Sequence, residues 1–254
     1  MKIKADLHNH LSKGSYNNDF NKVIDISSKR LGHAGILGIC NDEDNRYESF
    51  VDLAGYERED FKGFIYIPSK NLFVIKAQEV FAKQGHILVL GLEKYKHIKS
   101  KDLEDVLKEA KDINENNIII PVHLFFFQGC GNYLIHNPNL IKDFDAIEVN
   151  SGEAIYGNKK AKQFYEIIKE DSEIGAVSFS DGHSLYEIGL NYTILDMPSE
   201  FEFNKFISSL KNSIRQHKDY SEDKQNFSLK GFLEHSVKMV GTIGFSKLGF
   251  KIIN

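Results

Sequence analysis

A short opening strand that closes on two histidines constrains this chain more than any other feature. Lys2-Ile3-Lys4-Ala5 leads into Asp6-Leu7-His8-Asn9-His10. On an extended backbone, residues i and i+2 point to the same side, so both imidazoles can reach one metal ion from one strand end. Neutral imidazole is the commonest metal ligand and suits Zn, Fe, Mn or Ni. An open doubly wound sheet normally carries a glycine-rich phosphate loop after its first strand. Here His-Asn-His holds that place, which favours a βα barrel.

The rest of the chain repeats the pattern of an apolar run ending in a polar group. Apolar spacing predicts a helix over Phe20–Leu31, with Gly32 as its C-cap, then a buried strand over residues 34–40 that ends at Asp42. Residues 43–63 are charged and aromatic and read as a short helix and a loop, either a solvated face or a lid. Strands are expected at Phe64–Ile67 and at residues 72–77, the second running into Glu79, with a loop over 81–85. A further strand opens on His86, and another ends at His123. A glycine- and asparagine-rich loop should reach residue 139, followed by a strand over 145–150 and one over 175–180 that ends in Asp181-Gly182-His183. Tyr192 to Leu195 offers one more strand, and helices are predicted near 101–114, 161–170 and 201–217. In a closed barrel the C-terminal strand ends share one rim, where active sites lie.

Collected on that rim are His8, His10, Asp42, Glu79, His123, Asp181 and His183, with His86 at its strand's start. Glu79 follows a buried apolar run, and a lone buried carboxylate is too costly to stand unpaired. Asp42 alone also fits a helix N-cap. The motifs Asp6-Leu-His8-Asn-His10, Glu79 with Gly85-His86, Val122-His123, Ile147-Glu148-Val149-Asn150 and Ser180-Asp181-Gly182-His183-Ser184 are collinear with those of the PHP (polymerase and histidinol phosphatase) family, and the chain resembles it from about residue 3 to residue 196. The resemblance implies an α/β fold, a distorted seven-stranded βα barrel over residues 1–220, and two or three divalent metals. It gives His8, His10, Glu79 and Asp181 to one metal, and Glu79, His86 and His123 to a second. A third site in the family uses a residue that aligns with Ser15, a Thr-Asp-His motif that aligns with Cys40-Asn41-Asp42, and a final His matched by His183. Ser15 is a poor ligand and Asp42 replaces an imidazole, so two sites (Zn, Mn or Fe) are expected, with the third weak or vacant.

The resemblance implies phosphate ester hydrolysis; metals there would generate hydroxide, and Asp42 or His183 is the expected proton donor where a vacant third site leaves them free. Phosphate is usually gripped by Arg or Lys, yet no Lys or Arg stands between Lys111 and Lys142. Lys13, Arg46 and Lys83 are the nearest substrate-binding candidates. Phe125-Phe126-Phe127 reads as wall or core before a base-stacking platform. The missing basic clamp keeps open a C–N bond hydrolase, and the altered third site a non-catalytic metal-binding or regulatory protein. The formal charge of -4 argues against a stable nucleic-acid partner and for a small-molecule or short nucleotide substrate. With no apolar leader or span in the sequence, the expectation is a cytoplasmic protein without membrane contact, free to form a homo-oligomer. Cys40 and Cys130 are expected to be buried reduced thiols. Residues 221–254, lysine-dotted and glycine-broken from 231 on, should dock on the barrel or a partner chain rather than lie on a membrane.

Overall fold

Among the described residues, most apolar runs become a strand or a helix face, and their order fixes where the polar ends meet. The computed structural model describes residues 1–10, 19–42, 44–152, 155–170, 172–200, 202–231 and 233. Strand β1 (Lys2–Asp6) passes through helix α1 (Phe20–Leu31) to a parallel β2 (Gly35–Asn41). α1 starts because Asp19 accepts from the Lys22 amide, and stops at Gly32, whose φ of 75° suits glycine. Its Phe20, Val23, Ile24, Ser27 and Leu31 form the buried stripe that the 3.6-residue period dictates. β2 is buried along its whole length, and Gly38 is obligatory there, since a Cβ would stand 2.1 Å from the Leu7 carbonyl oxygen.

β5 (Leu72–Ala82) organises the sheet. One edge pairs in parallel with β2. The other edge is shared by β4 (Phe64–Ile67) at its start and β6 (Gly85–Leu90) at its end, both antiparallel. β3 (Glu59–Phe61) extends β4, and β7 (Ile118–Pro121) extends β6. β10 (Thr193–Asp196) closes the free edge of β1, antiparallel. β8 (Ala146–Ser151) and β9 (Gly175–Phe179) form a separate parallel pair. Helices α2 (Arg46–Leu53), α3 (Leu103–Ile113), α5 (Ile155–Ile168) and α6 (Phe206–Gln216) complete the frame with a short α4 (Gly131–His136).

The expected closed seven-stranded barrel does not form. An eight-stranded mixed sheet with a parallel centre, β1–β2–β5, curves around an apolar interior to which β8 and β9 also contribute. At both seams side chains stand where a ladder would run. The Ile119 amide donates to Asp145 Oδ2 at 2.9 Å, and the Ser178 amide donates to Thr193 Oγ1 at 2.8 Å. Several boundaries also differ from expectation. β5 runs through the expected loop at 81–82, because Phe81 and Ala82 pair with His86 and Gly85 across a two-residue turn. β3 forms within the 43–63 stretch expected as a short helix and a loop, α4 inside the loop expected to reach residue 139, a 3₁₀ turn (Pro138–Asp143) follows at its end, and α5 begins six residues early. The three additions are short, and the sheet or the core supplies what their sequences lack. Residues 234–254 lie outside the described residues, as do Lys13 and Ser15. Among the described residues, no helix is long and apolar enough to cross a membrane.

Candidate metal centre

Beyond Asp6 the chain is stitched to the segment around Gly182 and to β2. The His10 amide donates to Gly182 O at 2.8 Å, and the Cys40 amide to Asn9 O at 2.9 Å. Asn9 turns away, donating from Nδ2 to Asp6 O, so alternation puts His8 and His10 on one side. Their Nε2 atoms lie 3.1 Å apart. His8 Nδ1 donates to Glu148 Oε1 at 3.2 Å and His10 Nδ1 to Asp42 Oδ1 at 3.1 Å. Each bond fixes the tautomer that leaves Nε2 as the ligand atom, the arrangement usual for metal-binding imidazoles.

Both Nε2 atoms face two buried carboxylates. His10 Nε2 is 3.2 Å from Glu79 Oε2, and each Nε2 is 3.4 Å from Asp181 Oδ1. On the other side of Glu79, Oε1 lies 2.8 Å from His86 Nδ1 and 2.9 Å from His123 Nε2. Glu79 therefore stands between two pairs of imidazoles. Burial raises its pKa, but bonds from His10, His123, His8 and His86 outweigh burial and hold the carboxylate well below its ordinary value. Burial likewise opposes charge on His8 and His10, and the neighbouring carboxylates overcome it, pushing both well above the usual histidine value. A set of deprotonatable N and O donors this crowded is what a divalent cation satisfies. Two further observations fit one: the ligand atoms of Glu79, His86 and His123 lie within 4.8 Å of one another, as do those of His10, Asp181 and His183, and buried His123 Nδ1 has no partner among the described residues.

Two of these residues sit on unusual backbone. His123 (φ 32°) and Asp181 (φ 49°) are left-handed, which aims their side chains inward where each strand turns away. His183 stacks on His10 with ring centroids 4.6 Å apart, and its Nδ1 donates to Asp181 O at 3.0 Å.

The other expected residues fall differently. Asp42 is not a helix cap, since α2 is capped at Asn45. Its carboxylate is gripped by His10 and, at 2.6 Å, by Arg46. Burial raises its pKa, but His10 and then Arg46 outweigh that and hold it below the ordinary range. Arg46 is committed to Asp42 and to Asp44 (2.6 Å) rather than open to a substrate. Lys83 is exposed on the β5–β6 turn. Asp6 and Glu148 stand in the sequence motifs without an assigned role, and the structure gives each one. Glu148 orients His8 and also accepts the His123 amide at 2.6 Å. Asp6 accepts the Ser180 and Gly189 amides at 2.9 and 2.7 Å, holding β1 against the Asp181 segment. The argument that singled out Glu79, a carboxylate too costly to bury alone, applies equally to Glu148 in Ala146-Ile147-Glu148-Val149.

No protein-family model matches the chain, and no curated protein is similar to it. Solved structures do share its fold. PsfC from Pseudomonas syringae superposes with a TM-score of 0.63 at 13% identity, covering 96% of this chain and 99% of that one. The lesion-specific endonuclease Q from Pyrococcus furiosus gives 0.57 at 15% identity over 85% of this chain and 56% of its own. A two-domain protein from Bacteroides vulgatus containing a predicted PHP-like metal-dependent phosphoesterase gives 0.51 at 14% over 84% and 64%. At such identities the kinship is one of architecture, and it places this chain's α/β fold beside PHP-like proteins.

Proposed function

We propose that this chain is a PHP-type hydrolase that cleaves a phosphate ester of a small molecule or short nucleotide with two divalent cations (Zn, Mn or Fe). The observation that carries the reading is Glu79, whose two oxygens face separate imidazole pairs. His8, His10, Glu79 and Asp181 would hold one cation, and Glu79, His86 and His123 the other. Cations bound there would supply Lewis acidity toward a phosphoryl oxygen and a water of lowered pKa. Glu148 and Asp42 hold His8 and His10 in the ligating tautomer. Ser151 Oγ, 3.1 Å from Asp181 Oδ2, directs that carboxylate. His183, partly exposed at the edge of the cluster, would pass a proton to the leaving oxygen.

Metal analysis of the purified protein, paired with a panel of phosphate esters, tests this. We expect close to two cations per chain, a large loss of bound metal in His8→Ala, and turnover that returns with added Zn²⁺, Mn²⁺ or Fe²⁺. A metal-loaded sample inert toward every ester would sink the reading. One observation favours C–N hydrolysis instead: Arg46 is spent on Asp42 and Asp44, so the described cluster shows no cation placed for phosphate. Competitive inhibition by inorganic phosphate would decide for the ester.

A further inference from the structure

Three phenylalanines follow His123, and they do not share one fate. Phe125 packs edge-on against Phe164, with centroids 5.7 Å apart and Lys160 Nζ 4.3 Å from its ring centre. Phe126 and Phe127 are 42% and 77% exposed. The wall-or-core expectation therefore holds for the first ring and fails for the other two.

Their exposure is not that of a loose loop. The Phe126 amide donates to His123 O at 2.8 Å, the Gly129 amide to Phe126 O at 3.0 Å, and the His86 amide to Gln128 O at 2.9 Å. Gln128 takes a left-handed φ of 66°. Gly129 has no room for a side chain, since a Cβ would lie 2.4 Å from Leu124 O. The turn is thus tied to His86 and His123, two members of the candidate centre. On one flank Phe81, 39% exposed, holds its ring 4.5 Å from that of His86. On the other flank Gly157 abuts the Phe125–Phe126 backbone, and the adjacent Tyr156 is 88% exposed. Large aromatic side chains kept in water on backbone bonded to two members of the candidate centre mark a binding surface rather than incidental exposure.

We propose that Phe126 and Phe127, flanked by Phe81, form a platform that stacks the base of a nucleotide whose phosphate ester meets the Glu79 cluster. The proposal rests on the phosphoester reading above and names its substrate class. A flat π-face is what exposed phenylalanine recognises beyond mere apolar area. The turn offers nothing to a polyanionic strand: residues 112–141 carry no Lys or Arg, and Lys160 is already engaged by Phe125 and Asn132. A mononucleotide or short oligonucleotide end suits this surface better than a long chain.

Adenosine 5′-monophosphate and ribose 5-phosphate carry the same phosphate on the same primary hydroxyl and differ only in the base. With the metal-loaded protein we expect kcat/KM for the nucleotide to exceed that for the sugar phosphate about tenfold or more. Phe126→Ala and Phe127→Ala should each lower the nucleotide's value several-fold more than the sugar's, and Phe127→Tyr should restore it. Both rings are exposed, so these variants should fold, which circular dichroism checks. Calorimetric binding of the same pair repeats the comparison without turnover. Base-dependent binding without hydrolysis would remove the hydrolase reading and keep the platform. Equal binding of the two compounds, or equal losses in the variants, would overturn the platform even if both esters are hydrolysed.

Discussion

Cys40 and Cys130 lie fully out of water, and burial pushes their thiols up to about 11 and about 12. Thiolate is the reactive form, so neither should be alkylated by iodoacetamide at pH 8 in the folded protein, while both react in denaturant. Labelling of the native protein would show that this interior opens. Asp6 is a second buried group with a measurable signature. Burial drives its carboxyl up to about 6, ahead of the two amides that favour the anion. The folded state then binds a proton more tightly than the unfolded chain. Its contribution to stability is therefore complete below about pH 4 and is lost as pH rises through about 6, on the order of 3 kcal/mol. Urea unfolding of metal-free protein at pH 4 and pH 7 should show a smaller fall for Asp6→Asn than for the wild type, the remainder coming from other shifted groups such as His8 and His10. Glu148→Gln should weaken metal binding about 10- to 100-fold while leaving every direct ligand in place, as expected for an orienting carboxylate. The cluster itself was legible because each member begins or ends an apolar run. The role of Asp42 was not, because it depends on Arg46 returning to it from the first turn of α2, a contact that no motif encodes.

At the scale of elements, β5 carries the least foreseeable interaction. Lys76 is wholly buried in the middle of that strand. Its ammonium donates to Glu48 of α2 (2.5 Å), to Lys96 O (2.8 Å) and to Glu93 O (3.1 Å). Glu48 also accepts from Asn41 Nδ2 and from the Tyr95 amide, each at 2.8 Å. The network ties α2 and the 93–96 segment to the strand that presents Glu79. Glu48→Ala would leave the ammonium buried without its counter-charge and should cost about 3–5 kcal/mol, read from chemical denaturation. A loss below about 1 kcal/mol would mean that water or another acceptor replaces the carboxylate. From the sequence, Glu48 falls in a charged stretch that reads as either a solvated face or a lid, since its partner lies 28 residues away. Strands and helices with a clear period were readable for the opposite reason: Val23, Ile24 and Leu31, or Leu103, Val106 and Leu107, declare their face locally. β3 and α4, three and six residues long, lack the length for any period to show.

For the whole molecule, what could not be read is how the sheet ends. Alternating strands and helices with polar strand ends pointed to a barrel, and the polar ends do converge. At the β7–β8 and β9–β10 seams the Asp145 carboxylate and the Thr193 hydroxyl take backbone amides that a continuous ladder would use, and single side chains of this kind leave no trace in hydropathy. β1, in turn, depends on a partner from near the end of the described chain, β10, from Lys2↔Asp196 to Ala5↔Thr193. A chain cut after residue 190 exposes that edge and loses α6. It should show no cooperative unfolding transition and retain no bound metal, checked by circular dichroism and elemental analysis.

The stitch of His8 and His10 to Gly182 has a consequence for handling the protein. Ligand-type side chains hang from both sides of that join, so a captured cation would act as a rivet between two segments far apart along the polymer. Chelators should then depress the melting temperature as well as silence turnover. Superimposable melting curves with and without chelator would mean the rivet fastens nothing.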